Sequence, residues 1–121
     1  MKYLCAIYIN EQKLNTMSAD EYNDVVQACF NYEEDVKKEG KLLAAEALEP
    51  VHTATTVRNH TGKPSVTDGP FAETKEQLAG FFMVDADNLD DAIRIASGMP
   101  QARIGSIEVR PIKNLYEHIR T

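Results

Sequence analysis

No stretch of this chain clusters lysine and arginine, and its 13 basic residues are outnumbered by 19 acidic ones, for a formal net charge of −6. Nucleic acid demands a basic face, so that class of partner is excluded. Also missing is any apolar run near the roughly 20 residues that a membrane span needs. The opening MKYLCAIYINEQK has a short apolar run with no small-residue cleavage site behind it. It reads as a strand rather than a signal peptide, so the expected location is cytoplasmic. Cys5 and Cys29 are too few for a disulfide scaffold and lack zinc-site spacing. Both sit in apolar surroundings and read as small buried hydrophobes. HExxH, CxxC, GxSxG and a glycine-rich phosphate loop are absent, so no metal, cofactor, nucleotide or serine-hydrolase chemistry is expected.

What is present fits one domain: 121 residues, 43% hydrophobic and 26% charged. KYLCAIYI at 2–9 is a β-branched and aromatic strand, apolar on both alternating faces. A polar loop follows it. Ser18 with Glu21 three residues on matches a capping box. Tyr22, Val25, Val26, Cys29, Tyr32 and Val36 then recur at helical spacing, which predicts an amphipathic helix over 19–38 that Gly40 stops. KLLAAEAL at 41–48 reads as a strand because it is short and follows Gly40, although its alanines also suit a helix. TATTVR at 53–58 and Ser65-Val66-Thr67 flank a turn-rich Asn59-His60-Thr61-Gly62-Lys63 and predict a hairpin. A long strand over 79–86 and a helix capped by Asn88 come next. The inward face of that helix is read as Leu89, Ala92, Ile93 and Ala96, with Gly98 and Pro100 ending it. IGSIEVR at 104–110 is the last strand.

Without the hairpin this is β-α-β-β-α-β, the order of a ferredoxin-like split βαβ sandwich, an α+β fold. Both helices then pack on one face of an antiparallel sheet. The first strand and residues 81–84 are apolar on both faces, so the second face also needs cover. A second copy of the same sheet supplies it, and the expected assembly is a homodimer forming a dimeric α+β barrel.

The chemistry-bearing residues collect around DGPFAETKE. Asp68 before Gly69-Pro70 either accepts backbone N–H groups of its turn or serves as a general base. Phe71 either seats the loop or stacks on a ligand. Glu73, Lys75 and Glu76 are solvated charges, or Lys75 orients one of the glutamates. His52 lies where Asp68 approaches if the hairpin folds back, and a His–Asp pair is a minimal acid–base device. Alternation puts Glu46 on one strand face with Leu42, Ala44 and Leu48. It also puts Glu108 and Arg110 on one side of the last strand, as a structural ion pair or as an anion-handling pair for a small organic acid.

VTDGPFAETKEQLAGFFMVDA, LDDAIRIASGMP and IGSIEVRPI closely resemble the YCII-related proteins of the DGPF group, along nearly the whole chain. The resemblance implies a ferredoxin-like dimeric barrel. It implies either a small-ligand protein with acid–base chemistry of the YCII type or a non-enzymatic regulatory module. Association with an extracytoplasmic-function sigma factor is a further implication. The chain has no histidine near the first strand and first helix, where catalytic members carry theirs.

Overall fold

The computed structural model describes residues 1–120. Its strands are β1 (Lys2–Ile9), β2 (Leu42–Ala47), β3 (Thr55–Arg58), β4 (Ser65–Asp68), β5 (Gln77–Asp85) and β6 (Gly105–Pro111). Its helices are α1 (Glu11–Asn15), α2 (Ala19–Lys38) and α3 (Leu89–Gly98). Four strands form an antiparallel sheet in the order β2-β5-β1-β6, and β3 and β4 pair separately as a hairpin. Read from the β6 edge, the sheet is the ferredoxin-like arrangement with an inserted hairpin.

Local chemistry sets the element ends. Ser18 accepts from the Glu21 amide at 3.1 Å to open α2, and Asn88 accepts from the Asp91 amide at 2.9 Å to open α3. The stretch after β1, expected as loop, holds the short helix α1 because Asn10 accepts from the Gln12 amide and starts a turn. Periodicity gives little notice of a five-residue helix.

The core lies between the helices and one sheet face. β1 sends Tyr3, Cys5, Ile7 and Ile9 into it, and β5 sends Phe82 and Val84. Opposite them are Val36 of α2 and Ala92, Ile95 and Ala96 of α3. Ile95 is wholly buried and contributes roughly 1.5–3 kcal/mol by leaving water. The expected inward face of α3 is corrected here: Leu89 and Ile93 are about half exposed, and Ile95 takes the inward position. Docking of the helix on the sheet beside β6 chose among apolar positions that sequence spacing left nearly equivalent.

Face assignment on β2 is also corrected. A bulge at Leu43 turns Leu42 to the helix side opposite Val84, whereas Ala44 and Glu46 lie opposite Met83 and Phe81 on the other face. One extra residue reverses every side chain beyond it, so Leu42 and Glu46 do not share a face.

An ionic hub joins the end of α2, the start of β2 and the start of α3. Asp91 accepts from Lys41 Nζ at 2.5 Å, from the Asp87 amide at 3.0 Å and from Arg94 at 3.0 Å, and Arg94 also reaches Glu39 at 3.1 Å. The Lys41 ammonium, then the Asp87 amide and Arg94, hold the Asp91 carboxyl well below the usual carboxylate range. A depressed folded pKa gives stability that is present above the unfolded value and is lost as pH falls through the folded one. Wild type is therefore expected to lose stability progressively below about pH 4. Urea midpoints measured from pH 6 to pH 2 should fall less steeply for Asp91→Asn. Parallel curves for the two proteins would remove Asp91 as the source of the acid limb.

Candidate functional site

Beneath the N-terminal half of α2 the helix and sheet do not close on one another. Tyr22, Val25, Val26, Cys29, Phe30 and Glu33 line one wall of a cavity of about 370 Å³. These positions recur at the i, i+3, i+4 spacing of one helix face. Facing them is a patch of small residues, Ala45 and Ala47 on β2 with Ala79 and Gly80 on β5. Large side chains on the helix thus meet side chains too short to reach them, and the missing volume is the cavity. Ile7, Ile9 and Phe82 supply more of the apolar wall, with Leu14 of α1 and Ile104.

Gly80 is needed for the sheet wall. A Cβ built there would stand 2.5 Å from the Glu46 carbonyl oxygen and 3.1 Å from the Ala47 Cα. Where the cavity wall ends α2 is firmly held: the Tyr32 hydroxyl donates to the Ile95 carbonyl at 2.6 Å, and Val36 one turn on is buried.

The polar groups of this cavity are few. Glu33 follows Cys29 by one helical turn, and among the described residues no lysine or arginine lines the wall. Burial, and then the Glu33 charge, push the Cys29 thiol up, so it stays protonated near neutral pH and is a poor nucleophile. Gln101 also lines the cavity, and its Oε1 is buried without a hydrogen-bond partner among the described residues.

Of the residues singled out from sequence, Glu46 belongs to the segment lining this cavity. The others are dispersed. Glu108 and Arg110 lie on the opposite sheet face, where Arg110 Nη2 donates to Glu108 at 2.9 Å. Asp68 is exposed at the end of β4, opposite Thr55. The loop after it is seated through Gly69: its amide donates to the Ala54 carbonyl at 2.8 Å, and the Thr56 hydroxyl donates to its carbonyl at 2.8 Å. Gly69 has φ 110°, a conformation that favours glycine.

His52 sits exposed in the 3₁₀ turn Val51–Thr53, and among the described residues no hydrogen bond or ion pair joins it to Asp68. Glu11 ties that turn down instead, its carboxylate accepting from the Val51 amide at 2.9 Å. Phe71 is 79% exposed and does not seat the loop; the Arg58 guanidinium stands over its ring at 5.8 Å from the centroid. Glu73 and Lys75 are exposed, and Lys75 makes no ion pair with either neighbouring glutamate among the described residues. Glu76 turns to the sheet, accepting from the Ser106 hydroxyl at 2.7 Å.

Sequence spacing identified the cavity's helix wall as one face of an amphipathic helix, without the space beneath it. The signal lay in the opposing strand, LLAAEA, whose Ala45 and Ala47 face large helix residues.

A ferredoxin-like α+β domain with an apolar cavity under its first long helix is the class that fold and site define. The YCII-related domain model matches residues 1–116, and the chain belongs to that family. An uncharacterised protein of Rhizobium meliloti (strain 1021), R00369, is 37% identical over 114 residues, covering 93% of this chain and 92% of its own. Among solved structures, the 5-chloro-2-hydroxyhydroquinone dehydrochlorinase of Burkholderia phenoliruptrix AC1100, in complex with 2,5-dihydroxybenzoquinone, superposes with a TM-score of 0.55. The match spans 93% of this chain and 94% of that one, and at 16% identity it bears on the fold alone.

Proposed function

We propose that this YCII-related protein binds a small, flat, uncharged molecule carrying a hydroxyl, such as a simple phenol, in the cavity beneath α2. The observation that carries this reading is the apolar cavity of about 370 Å³, which lies within the ~300–1,000 Å³ of ordinary ligand sites. Glu33 offers a carboxylate acceptor on the helix wall, so a matched ligand donates a hydrogen bond. An organic acid finds no counter-charge on this wall, and burying an unpaired carboxylate is costly. The dehydrochlorinase ligand is likewise a single hydroxylated ring, the size class that this cavity admits.

Phenol, 4-methylphenol and resorcinol test the reading, with benzoate as the acid of matched size. At a hundredfold excess over the dissociation constant, binding stabilises the native state by about 2.7 kcal/mol. A phenol is expected to raise the unfolding midpoint and to slow alkylation of Cys29 by N-ethylmaleimide, while benzoate does neither. Failure of all three phenols in both assays would sink the proposal.

A second observation favours a homodimer. Leu4, Tyr8, Leu78, Phe81 and Met83 lie together on the sheet face away from the helices, none of them buried. A contiguous apolar patch across neighbouring strands marks an interaction surface, and we infer that a second copy covers it. Were the chain monomeric at all concentrations, that face would be free for another protein, such as the sigma factor that the family resemblance implies.

A further inference from the structure

Resting on the phenol reading, we propose that Leu14 sets the length of ligand the cavity accepts and that Glu11 holds Leu14 in place. The direction a ligand takes follows from the helix wall. Tyr22 is the first α2 residue on that wall and Glu33 the last. They stand roughly 16 Å apart along the axis, at about 1.5 Å per residue. A phenol whose hydroxyl reaches Glu33 therefore points its para substituent toward the start of α2. Residues 16–18 join that start to α1, which carries Leu14. At the same end β1 stops at Ile9, beside Gln77 and Gly105, and α1 follows one residue later.

A helix of five residues is too short to hold its own position. None of the residues of α1 is buried, and Gln12, Lys13 and Asn15 are exposed. Only Glu11 and Leu14 are partly covered. Leu14 packs on the core cluster and is, among the described residues, the one part of α1 on the cavity wall. Glu11 supplies the ties. Its carboxylate accepts from the Val51 amide at 2.9 Å, and its own amide donates to Gln77 Oε1 at 2.9 Å. Gln77 is fixed in turn, its Nε2 donating to the Thr74 carbonyl at 2.6 Å. Through Gln77 the DGPFAETKE segment thus bears on the end of the cavity.

A side chain pinned in this way meets a longer ligand as a stop. One methylene too many in an apolar pocket costs about tenfold or more in affinity. Replacing the isobutyl group of Leu14 by a methyl removes as many carbons as a propyl chain adds, so the variant should admit what the native wall rejects.

Calorimetry with 4-methylphenol, 4-ethylphenol and 4-propylphenol reads the limit. Wild type is expected to bind 4-propylphenol at least about tenfold more weakly than 4-methylphenol, and Leu14→Ala to reverse that order. Leu14→Val, a smaller change, should fall between them. Glu11→Ala leaves α1 untied and is expected to narrow the gap to about threefold or less. Glu11→Gln keeps an oxygen that accepts from Val51, so it should keep the wild-type order. Cys5 is wholly buried, and its resistance to N-ethylmaleimide confirms that each variant is folded. One size order shared by wild type and both Leu14 variants would overturn Leu14 as the stop while leaving the phenol reading intact. Equal loss of the order in Glu11→Ala and Glu11→Gln would overturn the role given to the Glu11 hydrogen bond. If none of the three phenols binds wild type or Leu14→Ala, the phenol reading fails, and this inference with it.

Discussion

Gly80→Ala is expected to lower the stability of this protein by about 2–3 kcal/mol, the upper range for overpacking. The added methyl stands 2.5 Å from the Glu46 carbonyl oxygen and close to the Ala47 Cα, and neither backbone atom can rotate away as a side chain does. The edge strand β2 must therefore lift from β5. Its ladder there includes the Leu48 amide to the Ala79 carbonyl at 2.8 Å, on the rim of the cavity. Urea unfolding gives the measurement: the midpoint should fall with little change in slope, because the surface exposed on unfolding is nearly the same. The same variant should bind phenols more weakly, since the wall that moves is the cavity's. A loss of stability under about 0.5 kcal/mol would mean that β2 sits less tightly on β5 than the geometry requires.

Ala45→Leu is expected to act in the opposite sense on stability and to remove binding. Ala45 faces the helix side opposite Phe82 and lines the cavity directly below α2. An isobutyl group there fills empty space that the native chain leaves unused, and cavity filling commonly adds about 0.5–2 kcal/mol. The same atoms occupy the volume a phenol needs, so affinity should fall about a hundredfold or more, the loss of roughly 2.7 kcal/mol of binding energy. Isothermal calorimetry with 4-methylphenol, alongside thermal unfolding of the free variant, separates the two effects. A variant that is more stable and still binds as wild type would place the phenol elsewhere. A variant that is less stable would mean that the cavity is too constricted at Ala45 to accept the larger side chain.

Much of the fold is legible in the sequence. The alternation in KYLCAIYI, the Ser18 and Asn88 caps and the stop at Gly40 are local signals, set by backbone hydrogen bonding and by the period of apolar residues. Together they specify element order, and element order specifies the ferredoxin-like arrangement, because few right-handed, short-looped topologies suit β-α-β-β-α-β. The family was legible for another reason: DGPFAETKE and its flanking segments form a long, specific string.

Tertiary structure alone decided the site. Whether Asp68 and His52 meet depends on how the hairpin lies against the 3₁₀ turn Val51–Thr53, and no local pattern encodes that approach. The bulge at Leu43 turned Leu42 and Glu46 to opposite faces, which alternation counted from residue 41 cannot anticipate. The cavity is a mismatch between two elements: large apolar residues on one face of α2 and the small residues Ala45 and Ala47 of β2, and only their facing each other leaves a space. Periodicity determines which side of an element turns inward. How closely two inward sides approach is set by the volumes that meet there and by the pins beside them, here Tyr32 and Val36 of α2.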